Sequence, residues 1–331
     1  MKNKAGLTLL LSASLLVLST VPAGAIQERA DKPVLTFPVI SDVHVDAAKQ
    51  DSQRKFTEAL EDLNRVNPGA DALVINGDLT GGSARDYTRL KELMKSTPHP
   101  QKTFATIGNH EFYSAWLNAK GNWSPNSFPN KETEAASIGR FLSFTGEKKV
   151  YYEEEIKGYP FIFLGSEQYR QTNPGNMEDA YLSEEQLNWL EQSLARHGQE
   201  SGKPIFVFLH QPLPGTVAGT SVASNKRPVV QHEELRSILS KYPQVIFFSG
   251  HTHWELRQPN TLVRDKFTMV NSSSVERPWT SDGQGGEKLK DAKESEGLYV
   301  EVYEDRVSIQ GRDFYAKKWI PEAQFKIPVR K

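Results

Sequence analysis

Five groups of acid, amide and imidazole side chains in this chain could hold metal ions, and each directly follows a short apolar run. Asp42 and His44 follow Val34–Ile40, Asp78 follows Ala72–Ile75, and Asn109, His110 and Glu111 follow Thr103–Ile107. His210 follows Ile205–Leu209, and His251 and His253 follow Val245–Phe248. Five of the eight histidines fall in these groups, a sorting that scattered surface histidines would not show. Such a set could seat two divalent cations about 3.5–4 Å apart, which clamp the attacking and leaving oxygens of a phosphoryl group and generate hydroxide near neutral pH. Two cations need a bridging ligand. Asp78 suits that role because Gly77 beside it lets the backbone crowd the site. Asp42 and His44 are two residues apart, as are His251 and His253, and that spacing predicts each pair on one side of an extended strand end.

The elements that must position these groups are short β-branched or aromatic runs alternating with helical-period segments from Val34 to Phe248, the mark of a layered α/β sheet. In open α/β sheets the ligand crevice lies beyond the carboxyl ends of the strands, so five strand ends can gather ligands distant in sequence. Phe56, Ala59, Leu60 and Leu63 predict a helix over Ser52–Val66, and Tyr87, Leu90 and Met94 mark a second. Ser183-Glu184-Glu185-Gln186 predicts a capping box opening a third, and Val230–Ser240 a fourth. Lys149–Ile156 and Tyr159–Leu164, joined by Lys157-Gly158, predict a hairpin. Thr261–Ser274, Gly297–Tyr303 and Arg306–Arg312 predict a run of strands completing a second sheet over residues 261–331, with the polar stretch Thr280–Glu296 as a solvated loop. Phe206, Phe208, Phe247 and Phe248 are expected in the core between sheet layers.

Composition limits the partners. Lys2 and Lys4 precede an uncharged, leucine-rich stretch ending in Ala23-Gly24-Ala25, which predicts a secretory signal peptide over residues 1–25 and an extracytoplasmic or secreted chain over 26–331 without a stable membrane anchor. Without those two lysines the formal net charge of −1 becomes −3. A near-neutral chain lacking long basic runs is a poor partner for nucleic acid or anionic membrane. With no cysteine, disulfides and thiolate-bound metals are excluded, so a single large domain must bury its own core.

In chain order the motifs are Asp42-Val43-His44, Gly77-Asp78, Gly108-Asn109-His110-Glu111, His210 and Gly250-His251-Thr252-His253. This series resembles the calcineurin-like metallophosphoesterases, whose pattern is D-x-H, G-D, G-N-H-[DE], H and G-H-x-H, across nearly all of the chain after residue 25. Each element alone is a weak signal, but five in order are specific. The resemblance implies a four-layer α/β/β/α sandwich of two mixed sheets flanked by helices. It further implies that Asp42, His44, Asp78 and His253 hold one metal and Asp78, Asn109, His210 and His251 the other. His110 would be a catalytic imidazole without a metal bond, protonating the departing oxygen or stabilising phosphoryl charge. Glu111 is expected to support the site by accepting a hydrogen bond that fixes an imidazole tautomer. Mixed oxygen and imidazole ligation admits manganese, iron or zinc and does not choose among them. Gly81 stands where related purple acid phosphatases carry an iron-binding tyrosine, which argues against that subtype.

The implied activity is hydrolysis of phosphate esters by metal-bound hydroxide. Gly77-Asp78-Leu79-Thr80 with Asp86-Tyr87 resembles the bacterial phosphodiesterase branch, with a phosphomonoesterase as the alternative. Extracellular nucleotides, glycerophosphodiesters or wall-derived diesters are the substrates to expect of an exported enzyme. A secreted metal-binding or adhesive protein without turnover is the alternative of another class, and His110, a residue that ligation does not need, counts against it. Aromatic residues crowd Phe112–Asn130, where Tyr113 and Trp116 could border a substrate; Lys226 and Arg227, closing the loop after His210, could meet a phosphate. Asn271-Ser272-Ser273-Ser274 could present hydroxyls to the crevice or form a plain turn.

Overall fold

The computed structural model describes Met1 and residues 32–198, 202–222 and 228–329; the expected signal peptide and the pair Lys226 and Arg227 lie outside the described residues. Packing divides the chain into Met1–Lys32 and Pro33–Lys331, and every helix and strand among the described residues belongs to the second unit. No helix among the described residues is long and apolar enough to cross a membrane.

The elements run β1 (Leu35–Ile40), α1 (Gln50–Val66), β2 (Leu73–Asn76), α2 (Ala84–Ser96), β3 (Thr103–Thr106), α3 (Glu134–Thr145), β4 (Tyr152–Ile156) and β5 (Tyr159–Phe163). Then come α4 (Glu184–His197), β6 (Ile205–Phe208), α5 (His232–Leu239), β7 (Val245–Ser249), β8 (Leu262–Arg264) and β9 (Thr268–Asn271). A small hairpin, β10 (Trp279–Ser281) and β11 (Glu287–Leu289), precedes β12 (Glu296–Val302), β13 (Arg306–Asp313) and β14 (Lys318–Pro328).

Two six-stranded sheets result, ordered β14-β13-β12-β1-β2-β3 and β4-β5-β6-β7-β9-β8. Both are mixed: β1, β2 and β3 pair in parallel, as do β5, β6, β7 and β9, while the remaining pairings are antiparallel. Side-chain alternation then makes three cores. Leu35, Phe37 and Val39 of β1 meet Phe161, Phe163, Phe206, Phe208, Ile246 and Phe248 between the sheets. The opposite face of the first sheet takes Phe56 and Leu60 of α1, Leu90 of α2 and Phe141 of α3. That of the second sheet takes Leu187 and Leu190 of α4 with Leu235 and Leu239 of α5. Helix, sheet, sheet and helix are therefore stacked as the expected four layers. Phe37 packs edge-on to Phe161 and Phe206 at centroid distances of 4.8 and 5.0 Å. Each fully buried ring is worth about 2–3 kcal/mol of transfer free energy, so the strands that end at the site stand on a stiff floor.

Four expectations change. The segment from residue 261 does not complete one sheet: β8 and β9 extend the second, whereas β12 pairs with β1 and carries β13 and β14 in the first. Pairing partners distant in sequence leave no local trace, which is why the division was not visible. Thr280–Glu296 is not simply a solvated loop, because it holds β11 and much of the β10–β11 hairpin. Phe247 faces the α4 and α5 layer, one residue out of phase with Phe206, Phe208 and Phe248. At α4 the capping box is half made: Ser183 Oγ accepts from Gln186 N at 3.2 Å. The Gln186 amide turns instead to the Gly165 carbonyl, and Glu167 takes the Ser183 N–H.

Candidate metal centre

The paired spacing of the site residues works through a different backbone from the one expected. Asp42, His44, Asp78, His251 and His253 all have positive φ, between 43° and 68°, so none of them lies in extended strand. Left-handed turns cost non-glycine residues about 1 kcal/mol or more, and Asp and His are among the commoner exceptions. Here they coil the strand ends so that alternate side chains point one way. The two loops brace each other: Asp42 N donates to Gly77 O at 3.1 Å and His44 N to Asp78 O at 3.0 Å. Gly77 adopts φ 84°, and a Cβ there would overlap the His210 ring; a Cβ on Gly108 would overlap Asp78 Oδ1.

Asp42, His44, Asp78 and His253 each offer one ligand atom, and these atoms lie within 4.8 Å of one another. His253 Nε2 is 2.9 Å from Asp42 Oδ1 and 3.2 Å from His44 Nε2. The Asp78 carboxylate stands between this set and the next. Its Oδ2 is 3.8 Å from His44 Nε2 and 3.1 Å from His210 Nε2, while Oδ1 accepts the His110 backbone N–H at 2.9 Å. His251 Nδ1 and Asn109 Oδ1 face each other at 3.0 Å. Asp42 Oδ1 and His210 Nε2 are buried without an aligned hydrogen bond despite these short separations, as expected of donors that converge on a cation. The donor set of carboxylates, imidazoles and one amide fits two divalent ions of the manganese, iron or zinc type.

Electrostatics agree with this. Burial raises the Asp42 and Asp78 carboxyls, but the imidazoles around them prevail and hold both below the usual range, Asp78 well below. Burial pushes His44 down to about 4 and His251 down to about 3. It acts on His210 in the same sense, but the Asp78 and Asp42 charges outweigh it and lift that ring to about 10.

Glu111 does not fix an imidazole. Its carboxylate accepts four backbone N–H groups, from Asp78 and Gly108 on one oxygen and from Leu79 and Thr80 on the other, at 2.8–3.0 Å. It knots the loop after β2 to the loop after β3 and so shapes the site from beneath. Backbone carbonyls orient the rings instead: His210 Nδ1 is 2.8 Å from Asn76 O, and His253 Nδ1 is 3.2 Å from Arg277 O. Residue types could not have revealed either carbonyl. The four residues Asn271 to Ser274 are buried behind the site, not turned toward the crevice, and Ser274 Oγ donates to Asp42 O at 3.1 Å.

His110 stands at the mouth of the cluster with 31% of its side chain exposed, its Nε2 3.9 Å from Asp78 Oδ2. Tyr113 stacks on it at 3.8 Å. The crowded environment pushes His110 down to about 4, against the pull of the Asp78 charge. Sequence reading missed Glu178, which accepts from Asn109 Nδ2 at 3.0 Å, Tyr113 Oη at 3.2 Å and Tyr169 Oη at 2.9 Å, and pairs with Arg170. One carboxylate thereby orients the Asn109 amide and the ring that backs His110. Trp116 is not at the rim; it packs on Phe128 at 4.3 Å and donates to Tyr169 Oη. Tyr113 and Trp123 do line a cleft of ≈ 630 Å³ that reaches His110. A second lobe of ≈ 340 Å³, bounded by His44, His253, Arg277 and Trp279, meets the first at His110, Lys49 and Gly81.

Comparison with known proteins settles the family. Residues 35–255 match the model of the calcineurin-like phosphoesterases. The chain belongs to that family, and it is a phosphoric ester hydrolase of the kind that uses a dinuclear divalent metal centre. A probable cyclic nucleotide phosphodiesterase of Fibrobacter succinogenes is 25% identical over 256 residues, 74% of this chain and 81% of that protein. A dimetal phosphatase from Danio rerio shares the fold with a TM-score of 0.57 at 17% identity, over 90% of this chain and 100% of that one. GAP50, the anchor in the inner membrane complex of Plasmodium, shares it with a TM-score of 0.53 at 14% identity, over 90% and 89%. Fold alone therefore spans proteins named as phosphatase and as anchor, and the chemistry has to be argued from the site.

Proposed function

We propose that this phosphoesterase cleaves phosphodiesters, with one cation held by Asp42, His44, Asp78 and His253 and a second by Asp78, Asn109, His210 and His251. The observation that carries the diester reading is the pair of lobes meeting at His110. A diester carries substituents on two sides of phosphorus, and each lobe can receive one; a monoester would leave the second lobe unused. The relative named as a probable phosphodiesterase supports the same choice. When bound, two divalent cations supply Lewis acidity and a water of lowered pKa.

The chain's own residues account for the rest. The Asp78 carboxylate lies between the two ligand sets and would serve both, and the His110 N–H bond to Oδ1 keeps it from rotating. His110 is held neutral at pH 7 by burial, and positive charge at the site would act in the same direction. It therefore acts through its Nε2–H, donating a hydrogen bond to the phosphoryl or departing oxygen as negative charge builds there. Tyr113, tied to Glu178, fixes the plane of the imidazole. Export of the chain, expected from residues 1–25, is part of this proposal and is tested by sequencing the amino terminus of protein recovered outside the cytoplasm.

The activity is tested with bis(4-nitrophenyl) phosphate and 4-nitrophenyl phosphate, with manganese and with chelator. Higher kcat/KM on the diester, abolished by chelator, is expected. Preference for the monoester would replace the proposal with a phosphomonoesterase, and no turnover on either substrate with two metals bound would favour a metal-binding protein without catalysis.

A further inference from the structure

The loop after β3 spends its aromatic residues unevenly. Phe112 is buried against Tyr169 at 5.2 Å, and Trp116 and Phe128 pack on each other. Trp123 is left 58% exposed on the wall of the larger lobe, with Trp116 backing it at 5.9 Å. Its position is held. Leu117 and Trp123 form an antiparallel bridge. The turn between them is closed by Asn118 N donating to Asn122 O at 2.8 Å and by Asn122 N donating to Asn118 Oδ1 at 3.1 Å. Asn130 Nδ2 ties the base to Leu117 O at 2.6 Å. An exposed tryptophan on a pinned turn, facing a cleft that opens on the reacting centre, is a stacking platform and not a stray surface residue.

The charges of this lobe indicate what stacks there. Its lining carries two cations, Lys49 and Arg85, and two anions, Asp46 and Asp86. Lys49 is 3.3 Å from Asp46, and Asp86 accepts from Ala47 N and Ser83 Oγ. With formal charges cancelling, the lobe offers no field for a second phosphate or a polyanion. Resting on the reading of the cleft as a phosphoester site, we propose that the larger lobe binds an uncharged planar aromatic arm of the substrate, stacked on Trp123, and that substrates are compact esters with a single phosphate. A nucleobase or a simple aryl group meets this description equally.

The test uses phosphonates, whose carbon–phosphorus bond this chemistry leaves intact, so it does not depend on turnover. Calorimetry on manganese-loaded protein compares 1-naphthylphosphonate, an adenosine phosphonate and methylphosphonate, in the parent chain and in Trp123→Ala and Trp123→Phe. The ring should tighten binding about tenfold over methylphosphonate in the parent chain, as one stacked ring typically does. The advantage should vanish in Trp123→Ala and largely return in Trp123→Phe. Methylphosphonate affinity should be the same in all three, which guards against a misfolded variant. A gain with naphthyl alone assigns the lobe to simple aryl groups, and a gain with both assigns it to nucleobases as well. No ring advantage in the parent chain, or one that survives Trp123→Ala, would overturn the proposal. Failure of the diesterase reading would appear separately, as absent diester turnover with the phosphonate ratios unchanged.

Discussion

Among the described residues, two clusters gather acidic side chains to within 4.8 Å of one another, and they resolve the repulsion in opposite ways. In one, Glu255, Glu294 and Glu296 are met by the protein's own cations. Arg257 bonds Glu296 at 2.6 Å and Asp313 at 3.2 Å, and Lys290 contacts Glu255 and lies 3.4 Å from Glu294. In the other, every ion pair of Asp42 and Asp78 among the described residues is with an imidazole, a side chain that can also bind metal through a lone pair. Backbone strain separates them too, because the site holds five non-glycine residues at positive φ while none of the three glutamates is among such residues. Proximity of carboxylates thus says little about metal binding; what surrounds them decides. Strain persists where the surroundings over-determine it, typically at functional sites.

The contrast fails most visibly if Asp78→Ala keeps its metals. Removing the shared carboxylate should lower metal content in elemental analysis and cut diester turnover by roughly 10³-fold or more. His110→Ala should reduce kcat by about 10²–10⁴-fold while metal content stays near that of the parent; equal metal loss in both variants would contradict the division of roles. Glu178→Ala should weaken metal binding by about 10–100-fold, the usual effect of removing a group that orients a ligand. Titration calorimetry would show this as a change in one of two binding steps, and two unaffected steps would mean that the Asn109 amide orients itself. At the other cluster, Arg257→Ala should cost about 2 kcal/mol of stability, the loss of a buried pair discounted because 31% of the arginine side chain is exposed. Denaturant unfolding reads it, and metal content should not move. If the variant also lost metal, the two clusters would not be independent.

Much of this site could be read from residue types, and the reason is chemical. Acid, amide and imidazole side chains able to hold metals have few substitutes, so Asp42, His44, Asp78, Asn109, His210, His251 and His253 stand out as candidates, and the fold gathers them at one place. What brings them together is backbone conformation, and the two-residue spacing of Asp42 and His44 suits a strand and a left-handed turn alike; the structure uses the turn. Glu178 was hidden because adjacent acids, Glu178 and Asp179, at the end of the turn-rich stretch Asn173–Asp179 resemble solvated charge until the fold brings Glu178 to Asn109. In the fold, α1, α2 and α4 followed from their apolar spacing, whereas α3 presents few deeply buried apolar residues, chiefly Phe141, and contains Gly139. Strand β14 holds prolines at 321 and 328 and buries only Ile320 and Ala323 deeply, too sparse a pattern to register.

Protons give the finest distinction between the clusters. A metal ligand must give up its proton, so a ring protonated in the metal-free chain makes metal and proton competitors. His44 and His251, pushed to about 4 and about 3, are already neutral at pH 7 and should release nothing on metal loading. His210 is lifted to about 10 by Asp78 and Asp42, and His253 is also raised, with Asp42 opposing its burial. His210 should therefore shed a proton on loading. Below about pH 10, apparent metal affinity should climb with pH by up to about tenfold per unit for each proton displaced. Calorimetric enthalpy should vary with the ionisation enthalpy of the buffer in proportion to the protons released. The cluster built on Arg257 and Lys290 exchanges no such protons on loading, so Arg257→Ala should leave the slope unchanged, whereas His210→Ala should flatten it. An affinity independent of pH from 6 to 9 would mean that His210 is neutral before metal arrives, and that the Asp42 and Asp78 charges are balanced by something other than imidazolium.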